Sequence, residues 1–295
     1  MNNRYFLLII FLILKFVPVQ ASDTIPLNKK KLIIVTTGTL SFYAGGLYLL
    51  NETWYKNNPR TSFHFFNDEH EWKQMDKAGH LTTAFHQGRI SAEILMLTGL
   101  SKKKSYLYGG LASVIFQTPI EILDGYSAKY GFSWSDIIAN TGGTLLFTGQ
   151  YLAWEEIRIT PKFSFSRSAY AKERPNVLGK NLPEQVLKDY NGQTYWLSFN
   201  IHSFLRKDSN FPKWLNFSLG YGATGMIYAA DEANRAIGLD PYRKYFLAMD
   251  IDFTKVKTKS RFLNFVFHNV VNIVHVPGPT LEYNKYGFKG YLFYF

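Results

Sequence analysis

The stretch "WLNFSLGYGATGM" (residues 214–226) alternates large apolar residues with small polar ones. Leu215, Phe217, Leu219, Tyr221 and Ala223 share one parity; Asn216, Ser218, Gly220, Gly222 and Thr224 share the other. Successive side chains of an extended chain point to opposite faces, so this pattern reads as a β-strand with one apolar and one polar face. Its glycine-rich part, "GYGATG" (220–225), lies inside the alternation and suits close packing between strands better than phosphate binding.

Working outward, the same period of two recurs in "PKFSFSRSAY" (161–170), "TYWLSFNIHS" (194–203) and "YFLAMDIDF" (245–253), then in the short runs "TLEYN" (280–284) and "GYLFYF" (290–295). Six strands are therefore expected between residues 158 and 295, with a helix near 259–275. Apolar residues on one face and small polar ones on the other are what an outer-membrane barrel shows, and the chain ends on Phe295 as barrels often do. Six strands fall short of an ordinary barrel, so a twisted sheet packing its apolar face on helices is the competing expectation.

Upstream, the pattern is helical. "LIIVTTGTLSFYAGGLYLL" (32–50) is uncharged and just long enough to span a bilayer, and its Thr, Ser and Gly content equally suits a tightly packed bundle helix. Further helices are expected at 76–100, 105–124 and from Ser133 or Ser135 to about 157, with Lys102, Lys103 and Lys104 read as closing the first of these. The expected class is α+β. An antiparallel bundle of about four helices spans 22–157, and an antiparallel β-rich domain, sheet or small barrel, spans 158–295.

Residues 1–21 read as a signal peptide: Arg4, an apolar run interrupted by Lys15, and a small-residue cleavage site at Val19-Gln20-Ala21. Aromatic residues make up 17% of the 295 and charged residues only 19%, a membrane-leaning composition. There is no cysteine, which excludes disulfides, thiolate metal sites and a cysteine nucleophile. The net charge of +11 is uneven: residues 22–157 carry 12 basic and 12 acidic side chains, residues 158–295 carry 19 and 10. In an exported chain this points to anionic lipid headgroups or lipopolysaccharide as partners, not nucleic acid.

Three helices carry polar stripes. Asp76, His80 and Gln87 share a face, as do Gln117, Glu121 and Asp124, and Asp136 and Asn140 are four apart, followed by Gly142 and Gly143. Buried charges need partners, so the stripes are expected to converge. Two readings stay open: a hydrogen-bonded network that sets bundle register, and a reaction centre. In the second, His80 with a carboxylate acts as base and Lys77 or a carboxylic acid as acid, or His80, Glu121 and Asp124 bind a divalent metal. His64, His70 and His86 form no zinc pattern, and no GxSxG, P-loop or GxGxxG occurs.

"DKAGH" (76–80), "EILDG" (121–125) and "SDIIANTGG" (135–143) resemble the YfiM-like family of predicted periplasmic lipoproteins, a domain of unknown function, over roughly residues 70–150. The second half, with "NLPEQVLKDYNGQTYWLSFN" (181–200) and "FPKWLNFSLGYGATGM" (211–226), resembles the Bacteroidetes-type long form. A more distant likeness is to VanZ-like membrane proteins, in the Lys77-x-x-His80 helix, the acidic helix and the Asp136-x-x-x-Asn140 helix before glycine. The resemblance implies Asp76, Lys77, His80, Glu121, Asp124, Asp136 and Asn140 as the site positions and a location in the cell envelope, periplasmic or at the outer membrane. It implies no established activity, and the absence of cysteine departs from a lipoprotein. The expected function is an exported, membrane-associated envelope protein contacting lipid or lipopolysaccharide, the alternative a hydrolase of envelope lipid or glycan.

Overall fold

The computed structural model describes residues 26–55 and 58–295, so the signal-peptide reading of residues 1–21 lies outside the described residues. Four long helices come first: α1 (Lys29–Leu50), α2 (Met75–Met96), α3 (Lys102–Gly125) and α4 (Trp134–Trp154). Six strands follow, β1 (Ile159–Phe165), β2 (Gln193–Asn200), β3 (Leu215–Thr224), β4 (Tyr242–Ile251), β5 (Gly278–Asn284) and β6 (Gly287–Tyr294). Short helices α5 (Pro175–Leu178), α6 (Leu182–Lys188) and α7 (Asp231–Ala236), which carry too few turns to show a period, lie in the connections. The expected helix near 259–275 is α8 (Arg261–Asn269), continued by a 3-10 turn at Val271–Ile273.

The class is α+β. The strands form one antiparallel sheet in sequence order, β1 to β6, which does not close into a barrel. Phe217 pairs with Phe199 on one side and Met249 on the other, so large residues meet across strands as the alternation requires.

Which face is inside is the opposite of what a sheet packed by its apolar face would show. Asn216, Ser218, Ser198, Asp250 and Thr280 are buried, while Phe217, Leu219, Tyr245, Leu247 and Met249 are exposed. The inner side holds polar groups and a buried apolar cluster of Trp196, Phe246 and Ala248, with Trp196 stacked on His275, centroids 3.8 Å apart. Lys162 of β1, fully buried, reaches Asp250 of β4 at 2.7 Å and donates to the Ile251 carbonyl at 2.7 Å. Tyr294 of β6 lies over Phe246, centroids 4.6 Å apart, and its hydroxyl is 3.1 Å from that of Thr194. The inner face of the sheet therefore buries a polar set around a small apolar cluster of Trp196, Phe246 and Ala248.

The bundle is inverted in the same way. In α3, Ser105, Gly109, Gly110, Ser113, Gln117 and Glu121 are buried, whereas Leu107, Leu111, Ile115 and Ile122 are exposed. In α4, Asp136, Asn140, Gly143 and Thr144 face inward, and Trp134, Ile138, Leu145 and Leu152 face out. α2 lies between α3 and α4 with their backbones in near contact. A Cβ on Gly109 would sit 2.5 Å from the Gly88 carbonyl oxygen, and one on Gly143 2.1 Å from that of Leu81. Gly142, its neighbour, meets only the Leu81 side chain, at 3.8 Å.

Lys102, Lys103 and Lys104 occupy the first turn of α3, not the end of the preceding helix, which stops at Met96. Their charges oppose the dipole there, and the placement is offset by Lys102 donating to the Glu155 carbonyl at 2.7 Å.

Candidate functional site at one end of the helical bundle

The antiparallel course of the helices brings the start of α2, the end of α3 and the start of α4 to the same end of the bundle. Ser133 is the N-cap of α4, its hydroxyl accepting from the Asp136 backbone N–H at 3.2 Å, which fixes where Asp136 and Asn140 enter. α2 begins under strain. Trp72, Lys73 and Gln74 have φ of 47°, 54° and 61°, the left-handed region, at about 1–2 kcal/mol per residue. Loops and strands of the β-domain hold them there: the Tyr221 hydroxyl donates to the Lys73 carbonyl, Lys73 pairs with Asp231, and the Trp72 N–H donates to the Ala229 carbonyl at 2.9 Å. The β-domain thus sets the direction in which Asp76, Lys77 and His80 enter the bundle.

Two subsites result. In the first, the Lys77 ammonium sits among three carboxylates, 2.6 Å from Asp68, 2.8 Å from Asp76 and 2.6 Å from Asp136. Asp68 also accepts from the Ser133 and Ser135 hydroxyls, each at 2.6 Å. Burial pushes the Asp68 carboxyl up, but the donors Lys77, Ser133 and Ser135 outweigh it and hold it below the ordinary carboxylate range.

In the second, His80 Nδ1 lies 3.1 Å from Asn140 Oδ1 and 3.4 Å from Glu121 Oε1, and His80 Nε2 lies 3.6 Å from Asp136 Oδ1. Asn140 Nδ2 donates to Glu121 Oε1 at 3.0 Å. With its NH2 directed at Glu121, Asn140 presents its oxygen to His80, so His80 Nδ1 carries the proton of that bond. Glu121 is fully buried, and its Oε2 has no hydrogen-bond partner. His80 keeps 22% of its side chain exposed, so solvent reaches the ring.

Six of the seven residues singled out in the sequence, Asp76, Lys77, His80, Glu121, Asp136 and Asn140, are brought together here. Asp124 stands beside them with a different partner, accepting from the Tyr55 hydroxyl at 2.7 Å. One donor atom each from His80, Glu121 and Asp136 lies within 4.8 Å of the other two, so Asp136, not Asp124, completes the trio with metal-ligand spacing. Sequence reasoning passed over Asp68. It sits in the irregular segment "FHFFNDEHEW" (63–72), where no period signals a shared face; the only signal is its place in an acidic run just before α2.

The arrangement offers a histidine with one accessible nitrogen beside two carboxylates, and a lysine held by three carboxylates next to it. That is suited to proton transfer or cation binding. No curated protein and no solved structure matches the chain. A family model does match, over residues 64–151, a span that holds all the residues of both subsites and stops before the first strand. Residues 64–151 are thus similar to the family described as predicted periplasmic lipoprotein (DUF2279), although these 295 residues contain no cysteine to acylate.

Proposed function

We propose that the chain is a membrane-embedded protein of the cell envelope whose apolar exterior contacts lipid. The observation that carries this reading is that bundle and sheet alike bury polar side chains beside small apolar clusters while many large apolar side chains, such as Leu111, Ile138, Leu219 and Leu247, face outward. Further features support it. α1 has 22 residues, high hydropathy and only 6% of its most apolar window buried. Trp134 and Trp154, both exposed, bracket α4. At 1.5 Å per residue they stand about 30 Å apart, the thickness of the hydrocarbon layer at whose borders tryptophan collects. Glycine contacts of the kind at Gly109 and Gly143 are also how helices associate in lipid.

The lysines give the molecule a direction. Lys29, Lys30 and Lys31 start α1 and Lys102, Lys103 and Lys104 start α3, at the end of the bundle opposite His80. The β2–β3 loop with Arg206 and Lys207 reaches the same end, where Arg158 lies over the rings of Trp154 and Phe204. This basic rim suits an anionic headgroup layer, phospholipid or lipopolysaccharide phosphate. The outer membrane suits the amphipathic strands, as the cytoplasmic membrane suits helical spans.

The test is reconstitution of the full chain into vesicles with brominated acyl chains. Quenching of tryptophan fluorescence, reduced in Trp134→Phe and Trp154→Phe variants, is expected, with resistance to alkaline extraction and banding with one membrane on a density gradient. Full release by alkali together with unquenched fluorescence would end the proposal.

A second reading is a hydrolase acting on an envelope lipid or glycan, favoured by one observation: the His80–Asp136 pair lies at the rim of the bundle, open to solvent through His80. It predicts product release from phospholipid, lipopolysaccharide or glycan substrate that His80→Ala abolishes. Absence of turnover of all three would dismiss it.

A further inference from the structure

The two subsites differ in how their negative charge is met. Asp68, Asp76 and Asp136 surround an ammonium that already serves as their cation. Glu121 has no lysine or arginine partner among the described residues; the basic group beside it is the His80 ring, Nδ1 3.4 Å from Oε1. Glu121 is 0% exposed with Oε2 unpartnered, and one turn earlier Gln117, 3% exposed, has an unpartnered Nε2 on the same face. A buried carboxylate oxygen without a partner is expensive unless something meets its charge.

The tautomer of His80 points to what that something is. With the Nδ1 proton engaged by Asn140, the other nitrogen, Nε2, faces Asp136 Oδ1 at 3.6 Å, the oxygen that Lys77 also holds at 2.6 Å. A metal ion placed there, in place of a second ring proton, would bind both groups. Two ligands of a tetrahedral ion, each about 2.0–2.2 Å from it, stand about 3.4 Å apart, close to the separation seen. Asn140 would then be the outer partner that fixes the metal-binding histidine, as such histidines require.

We propose that His80 Nε2, Glu121 and Asp136 bind a divalent transition-metal ion, of the zinc or manganese kind, with Asn140 and Lys77 orienting the ligands and the exposed side of His80 leaving a coordination position open to solvent. One imidazole with two carboxylates is a borderline-to-hard donor set, which suits these ions and disfavours copper(I). The proposal deepens the hydrolase reading by naming its cofactor, but it stands without turnover, because a metal can also be structural.

The experiment uses the full chain purified in detergent without chelator. Elemental analysis should find zinc or manganese stoichiometric with protein. After chelation, titration with Mn2+ followed by electron paramagnetic resonance should show loss of the free-ion signal at micromolar concentrations. Glu121→Gln and Asp136→Asn should weaken Mn2+ binding at least tenfold, and Asp124→Asn, outside the ligand set, should leave it within about threefold, since a missing ligand removes direct coordination whereas a neighbouring charge acts only at a distance. Two results overturn the proposal: parent protein that neither carries nor takes up either metal, or metal binding that survives Glu121→Gln and Asp136→Asn undiminished. Both are read without an activity assay, so a metal-binding protein that turns over no lipid or glycan refutes the hydrolase reading alone.

Discussion

His86 of α2 donates from Nε2 to the carbonyl of Pro161 in β1 at 2.8 Å, and by that bond a helix completes the edge of a sheet. The carbonyl can only accept, so Nε2 carries the proton. Neighbouring edge groups are met likewise. Gln150 accepts from the Arg158 and Ile159 N–H groups at 2.9 and 2.7 Å and donates to the Ile159 carbonyl at 2.8 Å, and the His275 N–H donates to the Phe163 carbonyl at 2.9 Å. Pro161 has no N–H to satisfy, which is why it is tolerated on an edge strand. Side chains thus close an edge that would otherwise be an unpaired row inside an apolar-walled molecule.

His86→Ala leaves the Pro161 carbonyl buried without a donor. A loss of about 1–3 kcal/mol of unfolding stability is expected, and His86→Gln, which can donate at similar reach, should recover part of it. Denaturant unfolding in matched detergent measures both.

The Lys162–Asp250 pair, at 2.7 Å with both side chains fully buried, makes a sharper prediction. Lys162→Met strands a carboxylate within the curled sheet and should destabilise by about 3–5 kcal/mol, while the double change to Met and Leu should recover most of that. Thermal unfolding of the two variants and the parent decides it; equal losses would mean that the pair matters through packing alone.

Two adjacent glycines separate close packing from flexibility. Gly143→Ala drives a Cβ to 2.1 Å from the Leu81 oxygen and must push α2 and α4 apart, with a loss of about 1–3 kcal/mol or more. Gly142→Ala meets nothing nearer than 3.8 Å and should stabilise by about 0.4–1 kcal/mol through the unfolded chain. Comparing the two unfolding midpoints checks the helix spacing directly.

The Asp68 carboxyl is held below its ordinary range by Lys77, Ser133 and Ser135. A depressed carboxylate contributes stability that is fully present above its unfolded pKa of about 3.9 and is lost as pH falls through the lower folded value. Stability should therefore drop more steeply below about pH 4 in the parent than in Asp68→Asn, which has already lost the contribution at neutral pH. Thermal midpoints measured from pH 7 down to pH 3 test the sign.

The strands, the long helices and the change between them at Ile157 were legible because period two and period 3.6 are local properties of a chain. The convergence of Asp76, His80, Glu121, Asp136 and Asn140 was legible for a related reason: each stripe sits on an otherwise apolar helix, and buried polar groups seek one another. Asp68 and Tyr55 were not: Asp68 is placed by an irregular segment that leaves no period in sequence, and Tyr55 by a π-helical turn, Asn51–Tyr55, that continues α1. The partner of Asp124 changed because Tyr55 reaches it from beyond the end of α1.

By itself the sequence determined that residues 214–226 have an apolar and a polar face, and that three helices each carry a carboxylate stripe. It left open which face is inside, because periodicity gives the separation of the faces and not its sign. Only the tertiary structure decided that. Lys162, Asp250, Ser198 and Ser218 satisfy one another on the buried face. Polar groups paired in this way can be buried, which lets the apolar face turn outward.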